Sequence, residues 1–347
     1  LRGGGRAPRD RDFVETPEGF FFCLVGELHP PDRYTAYLKY TPAARGRWAR
    51  GDVVYRRELP YYHVRNVTRT IEFLEREHPR YVWVDSVRSL KFSFVPRDAV
   101  ARYYVPETRL TAILRAPADP LEADVGALVE RLARVSGLSA ESFGITGSIL
   151  LGLHNPEFSD IDLLVYGRDR AEKLKAALSR PLTSPLAELE PDRRSRWRTE
   201  IGQRFALSPE AVADLETRRW NYVLFRNRYV SIHPTRRDDE IDEAYGAHWY
   251  RPLGPATIEA TVADATDSAF LPAVYRLDDV RFDDGRSASS LPLVSHEGLF
   301  CDLAEVGDRI RARGMLEQID GRALRLVIGT AALPDGGALW RIARRSR

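Results

Sequence analysis

Residues 143–166 read Phe143-Gly144-Ile145-Thr146-Gly147-Ser148-Ile149-Leu150-Leu151-Gly152-Leu153-His154-Asn155-Pro156-Glu157-Phe158-Ser159-Asp160-Ile161-Asp162-Leu163-Leu164-Val165-Tyr166, and this stretch decides the fold. Phe143-Gly144-Ile145 has the make-up of a short buried strand, and Ile149 to Leu153 that of the first turns of a helix, with Gly147-Ser148 at the joint. A polar loop, residues 154–159, returns the chain to an apolar strand that begins with Asp160 and Asp162. Side chains alternate along a strand, so the two carboxylates share a face while Ile161 and Leu163 point into the core.

Two carboxylates on one face repel each other, and a divalent cation with a preference for hard oxygen ligands, Mg²⁺ or Mn²⁺, offsets that repulsion. Phosphate oxygens bind where backbone N–H groups are unpaired at the start of a helix. Gly147 lets the backbone come close, and Ser148 offers a cap and a hydroxyl. The spacing therefore predicts a phosphate cradle beside a pair of metal ligands.

With that strand-turn-helix-loop-strand order, the segment resembles the signature of the DNA polymerase β-like nucleotidyltransferase superfamily. More specifically it resembles an archaeal group of nucleotidyltransferases, with looser matches over residues 11–40, which include His29-Pro30-Pro31, and at Ser231-Ile232-His233-Pro234. The resemblance implies an α/β (α+β) nucleotidyltransferase domain with a mixed sheet. It also implies an NTP substrate bound at Gly147 and Ser148, metal ions on Asp160 and Asp162, and transfer of a nucleotide to an acceptor hydroxyl, with RNA or DNA the favoured acceptor. In such enzymes a third acid on a later strand shares a metal. The matching strand here is Tyr229 to His233, and Ser231 stands in the acid's place with His233 on the same face. Ser231 and His233 are thus auxiliary candidates. A binding module that holds nucleotide or nucleic acid without turnover is the alternative reading.

Composition sets the frame. The chain has 347 residues, 44% apolar and 29% charged, which is the profile of globular domains. Length predicts two or three domains. The sequence divides as an N-terminal α/β domain (1–116), the transferase domain (117–248) and a C-terminal β-rich, small-barrel-like domain (249–347). No apolar run approaches the ~20 residues of a membrane span, and the first residues lack the apolar stretch of a signal peptide. The expectation is a cytoplasmic protein without a membrane partner. Two cysteines, Cys23 and Cys301, exclude a disulfide framework. A net charge of +2 does not by itself announce a nucleic-acid binder.

Several flanking features admit two readings each. Tyr34, Tyr37 and Tyr40, interleaved with Arg33 and Lys39, either stack bases or pack a strand. The turn at His29-Pro30-Pro31 is either a phosphate contact or a stiff connection. Arginines 193, 194, 196, 198, 218 and 219 in the insertion after the transferase strand either grip an acceptor's phosphates or line a solvated helix face. In the C-terminal region, Arg309, Arg311, Arg313 and Arg325 alternate with apolar residues and predict strands with one buried and one basic face.

Overall fold

The computed structural model describes residues 6–59, 63–333 and 335–342. The chain forms two compact units, each woven from three stretches. One comprises Leu1–Pro60, Phe94–Leu189 and Trp220–Glu243, the other Tyr61–Ser93, Glu190–Arg219 and Ala244–Arg347. The fold is mixed α+β, with three main sheets and seven α-helices among the described residues.

The first unit is organised by a five-stranded mixed sheet. Its order is Leu186–Ala187, Tyr222–Phe225, Arg228–Thr235, Ile161–Tyr166 and Phe143–Ile145. Only the pair Ile161–Tyr166 with Arg228–Thr235 is parallel, in a register that sets Asp162 opposite Ser231 and Leu164 opposite His233. Ile161, Leu163, Leu164 and Val165 are all fully buried. A strand covered on both faces reads as a continuous apolar run, which explains why the alternation fades after Asp162.

Helix Pro120–Ser136 covers this sheet. Asp119 caps it by accepting the Glu122 N–H at 3.0 Å, proline occupies its first turn, and Gly137 ends it at φ 72°. Its apolar stripe, Leu121, Val125, Leu128 and Leu132, is buried against Phe143, Ile145 and Leu163 in a single cluster. Truncating one of these leucines to alanine costs about 2–5 kcal/mol, so the stripe holds the sheet in place.

The same unit contains an antiparallel sheet with the order Trp48–Arg50, Val53–Arg57, Arg33–Pro42, Phe21–Leu24, Phe13–Glu15 and Arg102–Tyr104. Tyr34, Tyr37 and Tyr40 are 8%, 7% and 2% exposed, so they pack the strand and offer no face for stacking bases. His29 is buried and accepts the Thr35 N–H at 3.1 Å through Nδ1, which makes its turn a stiff connection.

The second unit contains a barrel. Its ladder runs Tyr250–Asp267, Ala273–Phe282, Ser287–Ser295, Ala323–Ile328, Arg309–Ile319, and Arg309–Ile319 pairs back onto Tyr250–Asp267 to close the circle. Ser287–Ser295 and Ala323–Ile328 are the parallel pair. Ile258, Val262, Tyr275, Leu277, Leu293, Ile310 and Leu326 fill the core. The order first-second-third-fifth-fourth-first, with a parallel third and fifth, is that of small Greek-key barrels, and it agrees with the barrel expected from the sequence. Arginines of helix Pro191–Phe205 and the segment after it are matched with acids: Arg194 and Arg198 with Glu216, and Arg218 with Glu305 and Asp308. No described helix is long and apolar enough to cross a membrane.

Candidate active site

Thr146 leaves the strand Phe143–Ile145 in extended conformation and is the N-cap of the helix Gly147–Leu151. That helix is only five residues long and is ended by Gly152 at φ 66°. A single turn sums little dipole, so an anion here would be held by the N–H groups of the turn itself. Ser148 sits inside the helix; the cap position belongs to Thr146, whose hydroxyl instead donates to the Arg11 carbonyl at 2.8 Å. That bond fastens the turn to the N-terminal segment.

Gly147 and Asp162 are in direct contact. Gly147 has φ +67°, and a Cβ built on it would lie 2.4 Å from Asp162 Oδ2. The Thr146 N–H also donates to the Asp162 carbonyl at 2.9 Å. The turn and the carboxylate strand therefore form one corner, closed to any side chain but hydrogen.

Asp160 precedes the first paired residue of the strand and is exposed, whereas Asp162 is half-buried. Burial pushes the Asp162 carboxyl upward, but Lys39, His233, a hydrogen bond from Ser231 and Arg11 outweigh it and hold the group below the usual carboxylate range. Ser231 Oγ donates to Asp162 Oδ1 at 2.5 Å and lies 2.9 Å from His233 Nε2. With its one proton committed to Asp162, the hydroxyl accepts from the Nε2–H of His233. The structure thus brings Gly147, Asp162, Ser231 and His233 together, with Ser148 and Asp160 on the adjoining turn and strand end.

Three further sets of residues, given no site role by the sequence reading, support the corner. Arg228 donates to the carbonyls of Ser159 and Pro156, both at 2.6 Å, and pins the loop that delivers Asp160. Phe158 of that loop stacks under Arg47, at 4.3 Å, and beside Trp48. On the far side of the helix, His154 Nε2 lies 2.7 Å from Asp119, while Arg109 pairs with Glu122 and donates to the Ile149 carbonyl. Asp119, Glu122 and His154 are close enough to hold a metal ion. Yet Asp119 also caps the Glu122 N–H, and Glu122 accepts from Ala118 N–H as well as from Arg109. Their oxygens are committed, and the cluster acts as a clamp on the Gly147–Leu151 helix. The Asp119-Pro120-Leu121-Glu122 spacing is a helix-start signature that the sequence carried.

Hard carboxylate oxygens on a strand end, one of them held ionised, fit a divalent cation. The Gly147 corner, which a Cβ would fill, fits a phosphate beside it. No third carboxylate stands at the Asp162 register position.

Residues 128–220 match the family model described as a nucleotidyltransferase domain. That match takes in Gly147, Ser148, Asp160 and Asp162 and ends before Ser231. Over 334 residues the chain is 28% identical to the uncharacterized protein MJ1086 of Methanocaldococcus jannaschii, covering 93% of this chain and 95% of the relative. That similarity extends through both units. No solved structure matches the chain.

Proposed function

We propose that the protein is a metal-dependent nucleotidyltransferase that takes a nucleotide from an NTP to an acceptor, with nucleic acid the favoured acceptor. The observation that carries this reading is the contact between Gly147 and Asp162. A phosphate cradle and a metal carboxylate work on the same triphosphate only if they adjoin. Asp160 and Asp162 would hold Mg²⁺ or Mn²⁺, which when bound offsets the charge of the phosphates. Gly147 and Ser148 would orient the phosphates through the N–H groups of the turn. In the reaction the acceptor oxygen bonds to the α-phosphorus, the α–β bridging oxygen leaves with pyrophosphate, and the acceptor gives up its proton. That proton leaves to water, and the Ser231–His233 pair orients the Asp162 carboxylate. The three-part division at 116 and 248 belongs to the same proposal, with the flanking parts selecting the acceptor in the cytoplasm.

Ser231 favours a second reading, a nucleotide-binding module without turnover. Its hydroxyl stands where a third acid is expected and occupies Asp162 Oδ1. Labelled NTPs incubated with RNA, DNA and protein acceptors separate the two. Label transfer abolished by Asp162→Asn sinks the binding-only reading, and unchanged NTP and Mn²⁺ binding in Asp160→Asn and Asp162→Asn sinks both.

A further inference from the structure

The strand Arg33–Pro42 carries one extra residue at the height of the site. Phe22 pairs with Leu38 and Phe21 with Tyr40, so Lys39 has no partner of its own on that side. A bulge of this kind breaks the alternation of the strand and re-aims a side chain. Tyr40 is paired on its other side with Arg57 of Val53–Arg57, so the bulge brings Lys39 next to Arg57.

Two cations side by side need an anion, and none of the described residues supplies a direct one. Lys39 is only 9% exposed. Its ammonium stands 5.3 Å from the Phe13 ring centroid and 6.0 Å from that of Tyr40, and it makes no hydrogen bond or ion pair among the described residues. The Arg57 Nε is buried without a partner, and the guanidinium has no ion pair there either. Burial drives the Lys39 ammonium below its ordinary value and Arg57 pushes it the same way, against a weaker pull from Cys23 and Asp162. Arg11, the other cation in this corner, is paired with Asp10 at 3.4 Å. Asp162 attracts Lys39 through space but makes no ion pair with it. Leaving buried charges unpaired is costly, and folds keep such an arrangement where a ligand completes it.

We propose that Lys39 and Arg57 form an anion subsite for the outer phosphates of a nucleoside polyphosphate whose inner phosphates lie against Gly147 and Asp162. This rests on the nucleotidyl-transfer reading and extends it: the N-terminal sheet completes the site. Lys39 is the point charge, and Arg57 supplies a planar fork that matches two phosphate oxygens. Both act as binding residues.

The test is calorimetry on the full chain with inorganic tripolyphosphate, the four ribonucleoside triphosphates and the corresponding nucleosides, for the wild type, Lys39→Met, Lys39→Arg and Arg57→Met. The expected result is at least a tenfold loss of tripolyphosphate and NTP affinity in both Met variants. Nucleoside binding stays unchanged, and Lys39→Arg falls within about threefold of the wild type. Wild-type binding of NTPs with tripolyphosphate affinity equal in all variants overturns the subsite and leaves the nucleotidyl-transfer reading standing. Failure of the wild type to bind either NTP or tripolyphosphate overturns both. Should Lys39→Met fail to fold, Arg57→Met decides the matter, because that half-buried side chain holds no partner whose loss would unfold the sheet.

Discussion

The barrel of the second unit and the Gly147–Asp162 corner of the first are both rich in cations, but they treat them oppositely. In the barrel, Arg311 lies between Glu259 at 2.8 Å and Asp283 at 2.7 Å, and Arg309 reaches Glu259 at 3.5 Å. Arg325 pairs with Glu317 at 2.7 Å and lies over the Tyr250 ring, Arg313 pairs with Asp335, and Arg341 with Asp214 and Asp308. In the corner, Lys39 and Arg57 have no such partner among the described residues. A row of arginines is therefore poor evidence of an anion site when acids from neighbouring strands neutralise it. Two unmatched cations beside a phosphate cradle are better evidence. The barrel's alternating arginines, read from the sequence as a basic face, are largely spent on the barrel itself.

The strongest blow to the corner is Gly147→Ala, and the glycine at the other end of the same helix is its control. Gly147 and Gly152 both have positive φ, at +67° and +66°, but only Gly147 would drive its Cβ into Asp162; around Gly152 nothing lies within 4 Å. Gly152→Ala should cost about 1 kcal/mol from backbone strain alone. Gly147→Ala adds overpacking to that strain and should cost about 2–4 kcal/mol, with at least a hundredfold loss of NTP affinity. Thermal melts and calorimetry on the two variants check this. Equal behaviour of the two would mean that the Gly147–Asp162 contact does not shape the site.

Glu27 is the mirror image of Lys39, a buried carboxylate short of cations. Arg236 approaches it only to 3.6 Å, its Oε1 has no hydrogen-bond partner, and burial pushes its pKa up to about 7. The folded state then holds a proton that the unfolded chain releases near its ordinary value. The contribution to stability is complete at low pH and is lost as pH rises toward and past 7, by an amount on the order of a few kcal/mol. Glu27→Gln should flatten that decline and raise the urea midpoint at pH 8 relative to the wild type, with little change at pH 5. Parallel losses between pH 5 and 8 in both proteins would assign the slope elsewhere, and buried Asp10, also pushed upward mainly by burial, is the next group to replace.

How much of this was legible follows from where the information lies. The Asp160 strand, the turn at Gly147, the helix from Pro120 and the Ser231 strand announce themselves through local pattern. The register that sets Ser231 against Asp162 follows from parallel pairing of two such apolar runs. Lys39 and Arg57 were out of reach because their significance depends on a one-residue bulge and on the absence of acids, and neither leaves a mark in linear order. The tyrosines around Lys39 left two readings open for a related reason. Interleaved aromatic and basic residues look alike whether the strand is open or covered, and here it is covered. The barrel arginines were visible, but Glu259, which pairs with Arg309 and Arg311, is some fifty residues away in sequence and meets them only when the circle closes.

The smallest expected effect is the one that tests the barrel's side of the comparison. If Glu259 and Asp283 silence Arg309 and Arg311, then Glu259→Gln with Asp283→Asn should free them without much harm to the fold, since partly exposed ion pairs contribute about 0–1 kcal/mol each. The double variant should retain a single-stranded RNA oligonucleotide in a filter assay at 50 mM salt more strongly than the wild type. That gain should vanish near 200 mM, as expected for contacts that release counterions from phosphate. Adding Arg311→Ala should remove most of it. A wild type that already binds the oligonucleotide through Arg311, and gains nothing from the double substitution, would show that these arginines reach phosphate despite their acids. The distinction between matched and unmatched cations would then have to rest on burial, which sets Lys39 apart from Arg311, and pairing would no longer enter it.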